Sequence, residues 1–201
     1  MDNTLFDTYG QLGVNALDDM IEKMKKHGLT SEQEKIMKEK YMTTGFRTVA
    51  NMLKLSDELK EIGKSTYKDM DLSKISPFDD VDVIKEFSQK KILVTSGTEE
   101  VQNEKVRILG IAPLFDEIIV DLEGSGDSRV KIFTKLMDKY KVKPEEVIVI
   151  GDNAEAEIAG GNRLDMTTVQ IFRRPFLKGK ADYYVKDLYE VEKILADINS
   201  K

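Results

Sequence analysis

Cysteine and tryptophan are both absent from the 201-residue chain, and histidine occurs once. Without Cys there is no disulfide, no thiol nucleophile and no Cys-ligated metal. No apolar run approaches the roughly 18–20 residues of a membrane span. No signal peptide is visible, because Met1 leads straight into Asp2. The chain therefore reads as an intracellular, cytoplasmic protein with no membrane partner. Basic residues are not in excess: 31 Lys and Arg face 37 Asp and Glu, a net charge of −6. That balance argues against a nucleic-acid partner. No G-x-G-x-x-G follows a predicted strand, which disfavours a dinucleotide binder. His27 has no second His or Cys to share a ligand with. It stands just before Gly28, where a charge suits a helix C-terminus. Nothing in the sequence speaks to oligomeric state.

Hydrophobic residues make up 40% and charged residues 34%, the balance of an ordinary globular protein. The chain divides into two patterns. From Tyr9 to about Lys74 apolar residues recur at helical spacing. In "ALDDMIEKMKKHG" these are Leu17, Met20, Ile21 and Met24, with Gly28 as the stop. "LTSEQEKIMKEKYM" opens on Ser31 with Glu34 three residues on, a capping-box signature. "GFRTVANMLKLSDELKEIG" reads as one further helix closed by Gly63. From Ser76 onward short apolar strands alternate with helices. A helix near Pro77 ("PFDDVDVIKEF") precedes the strands "KILVT", "FDEIIV", "EVIVIGD", "TTVQIF" and "ADYYV". Alternation of this kind predicts an α/β fold, a Rossmann-like parallel sheet with helices on both faces. The all-helical stretch is then an insert. The expected division is 1–8 with 76–201 for the α/β core and 9–75 for the helical block.

In open parallel sheets ligands bind where strands end in loops. The strand "ILVTSGT" ends in Thr95, Ser96 and Gly97. Hydroxyls and free N–H groups there can cradle an anion, or they can simply cap the next helix. "VIVIGDN" ends in Gly151 and Asp152, with Glu155 and Glu157 in the next turn. A carboxylate so placed can hold Mg²⁺ or serve as an N-cap. At the start of the chain, "MDNTL" sets Asp2 and Thr4 beside one another.

Taken in order, "MDNTL", "LVTSG" and "VIVIGDNAEAEIAGGNRLDM" resemble the first, second and fourth motifs of the haloacid dehalogenase superfamily. The resemblance runs the whole chain, and the helical block stands where that family carries a small helical cap. It implies Mg²⁺-dependent hydrolysis of a small phosphorylated metabolite through an aspartyl-phosphate. On this resemblance Asp2 is the general acid and base, and its carbonyl joins Asp152 and Glu157 around Mg²⁺. Glu157 stands where the family usually has a second Asp. Thr95, Ser96 and Gly97 hold the phosphate. The family's cation, a Lys, falls near the start of "SRVKIFTKLMDKY". Helical phase puts Arg129 on the face of Phe133, while Lys131 lies about 200° around the helix. Periodicity favours Arg129 and family habit favours Lys131.

The family's first motif has the form of an apolar strand followed by D-x-D-x-T-L. The nucleophilic Asp is expected two residues ahead of Asp2, upstream of Met1, together with its strand. A chain without them is expected to be inactive. The alternative reading is a non-catalytic remnant that binds phosphate or a partner.

Overall fold

The computed structural model describes residues 1–68, 70–175 and 177–199. The chain divides into two compact units, Met1–Phe6 with Ser76–Lys201 and Asp7–Ile75.

The helical unit opens with a π turn, Tyr9–Gly13, that leads into α1 (Val14–Lys25). Helix α2 (Ser31–Met52) and α3 (Asp57–Lys68) follow. Three boundaries differ from the sequence expectation. The capping box is Thr30 with Gln33, one residue before the predicted Ser31–Glu34 pair. Helix α2 runs on through Gly45, which kinks it at φ 78°. Gly63 does not end a helix but lies inside α3, where the Phe46 ring would stand 2.0 Å from an added Cβ. The glycine therefore serves close packing rather than a stop. Met20, Met24, Met37, Tyr41 and Val49 are fully buried in this unit's core. His27 closes α1 by pairing its Nδ1 with Glu58 Oε1 at 2.7 Å.

In the α/β unit the strands and helices alternate as β1 (Ile92–Ser96), α4 (Glu99–Leu109), β2 (Glu117–Asp121), α5 (Gly126–Tyr140), β3 (Ile148–Gly151), α6 (Ala159–Asn162), β4 (Thr167–Ile171), β5 (Tyr183–Val185) and α7 (Leu188–Asn199). Every strand pair is parallel. The strands form two sheets, β1–β2 and β3–β4–β5, rather than a single one. Val94 of β1 nevertheless packs with Phe133, Val149 and Met166, so apolar side chains from both sheets share one core. Register aligns the carboxyl ends: Ser96 lies opposite Asp121, and Gly151 opposite Gln170.

The helix predicted near Pro77 is a six-residue 3-10 turn, Val81–Glu86. Its start is committed elsewhere: Phe78 N–H donates to Leu5 O, and Asp80 accepts from Arg173 and from Leu188 N–H. Likewise "AEAEIAGGNRL" is a π turn, Ala154–Ile158, followed by one turn of α6. Among the described residues no helix is long and apolar enough to cross a membrane.

Candidate active site

The first loop is a tight turn. Thr4 and Leu5 N–H groups both donate to Met1 O, at 3.2 and 2.8 Å. Asn3 supplies the left-handed conformation, φ 51°, that this turn requires; Asn tolerates that region better than most side chains. The turn aims two side chains. Thr4 Oγ1 donates to Asp152 Oδ1 at 3.3 Å. Asp2 Oδ1 meets Lys105 Nζ at 2.5 Å.

The second loop leaves β1. Thr95 is buried, and its hydroxyl donates to Gln102 Oε1 at 3.0 Å. Gly97 N–H donates to Asp121 O at 3.2 Å, so this donor is already committed. Ser96 Oγ accepts from Arg129 Nη2 at 2.8 Å.

Arg129 pairs with two carboxylates, Asp121 and Glu157. It is fully buried in the first turn of α5. Nη1 donates to Asp121 Oδ2, and Nη2 donates to Ser96 and to Glu157 Oε1, the last at 3.1 Å. Arg129 Nε and Glu157 Oε2 are buried without a hydrogen-bond partner. Gly160 backs the residue: an added Cβ there would stand 2.6 Å from Arg129 Cβ. Asp121 anchors the cation. Burial opposes its charge, but the N–H of Gly124, the Ser128 hydroxyl, Arg129 and the N–H of Glu123 outweigh that and hold its carboxyl below the usual range. Lys131 is exposed on the same helix.

The third loop follows β3. Asp152 is half-buried as a residue, yet its carboxyl group is enclosed by protein atoms. Burial first, then the Glu157 carboxylate, pushes it up to about 7. Glu157 lies over Gly151, where an added Cβ would come within 2.9 Å of its Cγ.

The loops thus join Thr4 to Asp152, and Ser96 to Glu157 through Arg129. Asp2 belongs to the same charge cluster but is bonded to Lys105. Lys131 takes no part in these contacts. The orphaned Glu157 oxygen and the under-compensated Asp152 carboxyl have the hard-oxygen chemistry of a divalent-cation site. Among the described residues no three His, Asp or Glu side chains converge as a preformed metal cluster.

Sequence reasoning missed several participants: Lys105, Gln102, Asp121, Gln170 and Arg173. One signal was available. Gln102, Lys105, Val106 and Leu109 share the buried face of α4, so two polar residues sit in phase with the apolar ones.

A family model described as haloacid dehalogenase-like hydrolase matches residues 1–171. A glyceraldehyde 3-phosphate phosphatase of Methanopyrus kandleri is 36% identical over 112 residues, 53% of this chain and 48% of that protein. One of Pyrococcus furiosus is 30% identical over 110 residues, 51% of this chain and 46% of that protein. The chain spans about half the length of these curated relatives. A solved haloacid dehalogenase-like hydrolase of Streptococcus pneumoniae superposes with a TM-score of 0.71 at 18% identity, covering 96% of this chain and 94% of that one.

Proposed function

The chain belongs to the haloacid dehalogenase-like hydrolases, and on that footing we propose that its site hydrolyses a small phosphate monoester with Mg²⁺. The observation that carries the reading is Arg129: a buried cation, with one unpaired donor, set between the hydroxyl loop of β1 and the carboxylates after β3. Phosphoryl transfer requires a fixed positive group at the phosphoryl oxygens and a carboxylate pair for the metal.

Asp152 and Glu157, with the Asp2 carbonyl, would hold Mg²⁺. When bound, the ion supplies charge neutralisation for phosphoryl oxygens and carboxylates that otherwise repel. The protein's own groups do the rest. Ser96 offers its hydroxyl to the phosphate and the Arg129 guanidinium holds its charge, while Gln102 takes the Thr95 hydroxyl and lies against Gly97. Lys131, exposed on α5, is left as a solvated charge. Asp2 carries the proton, protonating the leaving oxygen and later taking a proton from water. Lys105 holds that carboxylate in place. The attacking carboxylate, two residues ahead of Asp2 in the family form, is not among these residues. Glyceraldehyde 3-phosphate is the first substrate to try, since the relatives above carry that name.

The test is p-nitrophenyl phosphate release, with and without Mg²⁺, by a form carrying an apolar strand and an Asp immediately before Met1. Metal-dependent release that Arg129→Met abolishes is the expected result. A folded protein that binds orthophosphate and never turns over would overturn the reading in favour of a non-catalytic phosphate binder.

A further inference from the structure

We propose that the carboxyl end of β4 is a positioning clamp, in which Gln170 and Arg173 grip the main-chain carbonyls of the two loops that carry Asp152 and Thr4. The inference rests on the proposed phosphatase reading only for the reason that these loops must keep a fixed spacing.

The hydrogen bonds of both clamp residues go to main chain and to Asp80. Gln170 is fully buried in β4. Its Nε2 donates to Asp152 O at 3.0 Å and to Leu177 O at 2.8 Å, and its Oε1 accepts from Gly179 N–H at 2.8 Å. Both amide hydrogens and the acceptor are therefore spent on main chain, which fixes the amide's orientation. The Asp152 loop is held from outside its own turn and packed beneath residues 177–179.

Arg173 stands three residues on, just past the strand. Its Nε and Nη2 donate to Thr4 O at 3.4 and 3.3 Å, and Nη1 donates to Lys186 O at 3.3 Å. Both Asp80 oxygens accept from Nη2, at 2.8 and 2.7 Å. The guanidinium also lies over the Phe78 ring, 4.3 Å from its centroid. Asp80 is itself fixed by Leu188 N–H at 2.7 Å. An Arg so braced has little freedom left, and its fork geometry is one that Lys does not reproduce.

The two grips meet at one contact. Thr4, held by Arg173, donates to Asp152, held by Gln170. One strand end thereby sets the spacing between the acid–base loop and the metal loop. Along the chain these loops are far apart: Thr4 and Asp152 are separated by 148 positions. Without a common brace each would wander independently, and displacement of reacting groups by about 1 Å can cost ~100-fold in rate.

The experiment is amide hydrogen exchange on the chain as it stands, comparing wild type with Arg173→Met, Arg173→Lys, Asp80→Asn and Gln170→Met. Arg173→Met should speed exchange at Thr4, Leu5 and Phe78 by about tenfold, with β3 and β4 amides unchanged. Asp80→Asn should give a smaller change at the same amides, and Arg173→Lys should restore part of the protection. Gln170→Met should act instead at Glu155, Ala156, Ile158 and Gly179. In any form with turnover, kcat should fall about tenfold with KM held within about twofold. Wild-type exchange rates at these loops in the folded variants would overturn the clamp. So would acceleration spread evenly over the unit, which is what a merely structural role produces. Where Arg173→Met does not fold, Arg173→Lys and Asp80→Asn decide. A folded form extended by the apolar strand and Asp that still shows no turnover defeats the proposed function and leaves the exchange result standing.

Discussion

The two units bury different things. Among the described residues, the helical unit's buried polar side chains are Thr8 and Thr66. Its interior is Leu, Met, Ile and Tyr, and its ion pairs lie at the surface, as Lys26–Glu22 does on α1. The α/β unit buries Asp80, Gln102, Lys105, Asp121, Arg129 and Gln170. Burying charge costs several kcal/mol per ion unless pairing and hydrogen bonds offset it. Apolar packing stabilises a fold without that cost. A fold that keeps ions inside one unit and not the other has put its chemistry where stability alone would not place it.

That contrast can be broken at its strongest point. Arg129→Met strands Asp121 and Glu157 without their cation. It should cost about 3–5 kcal/mol, measured by urea unfolding, and abolish any turnover. The matching change in the helical unit is Met37→Ala, which opens a cavity at a fully buried site. It should cost about 2–4 kcal/mol in the same measurement. The two variants separate in ionic response: the Arg129 deficit shrinks at low pH, where Asp121, held below its usual range in the wild type, accepts a proton, and the Met37 deficit does not.

Asp152 sharpens the comparison through pH. Its carboxyl goes from an ordinary 3.8 to about 7 in the folded chain. Between those values the folded form binds the extra proton, so stability falls as pH rises through that window and levels off above it. In metal-free buffer the melting temperature should drop by a few degrees from pH 5 to pH 7.5. Asp152→Asn should flatten the profile; an unchanged slope would show that another group is responsible. Smallest is Lys26→Ala in the helical unit. Its partner is exposed, and the change in unfolding free energy should stay within about 0.5 kcal/mol.

How much of this was legible depended on distance along the chain. The strands announced themselves as short apolar runs, and "VIVIGD" carries both its strand and the loop that ends it. Helical phase was enough to put Arg129 on the buried face of Phe133, because that relation spans four residues. The Asp2–Lys105 and Asp80–Arg173 pairs span 103 and 93 positions. Local periodicity has no access to such contacts, which follow from where the chain returns after several crossovers. Gly63 shows the converse failure. Its residue type signalled a stop, but the ring of Phe46 needed the space, and packing decided.

Gly160 carries the last consequence. It has no side chain to offer a phosphate or a metal, yet Arg129 rests against it. The depth at which the cation sits is therefore a thickness setting, with hydrogen as the thinnest shim available. A single methyl group at that position would lift the guanidinium away from the carboxylates that hold it. The site's sensitivity thus reaches through the back of a helix to a residue with no functional group at all.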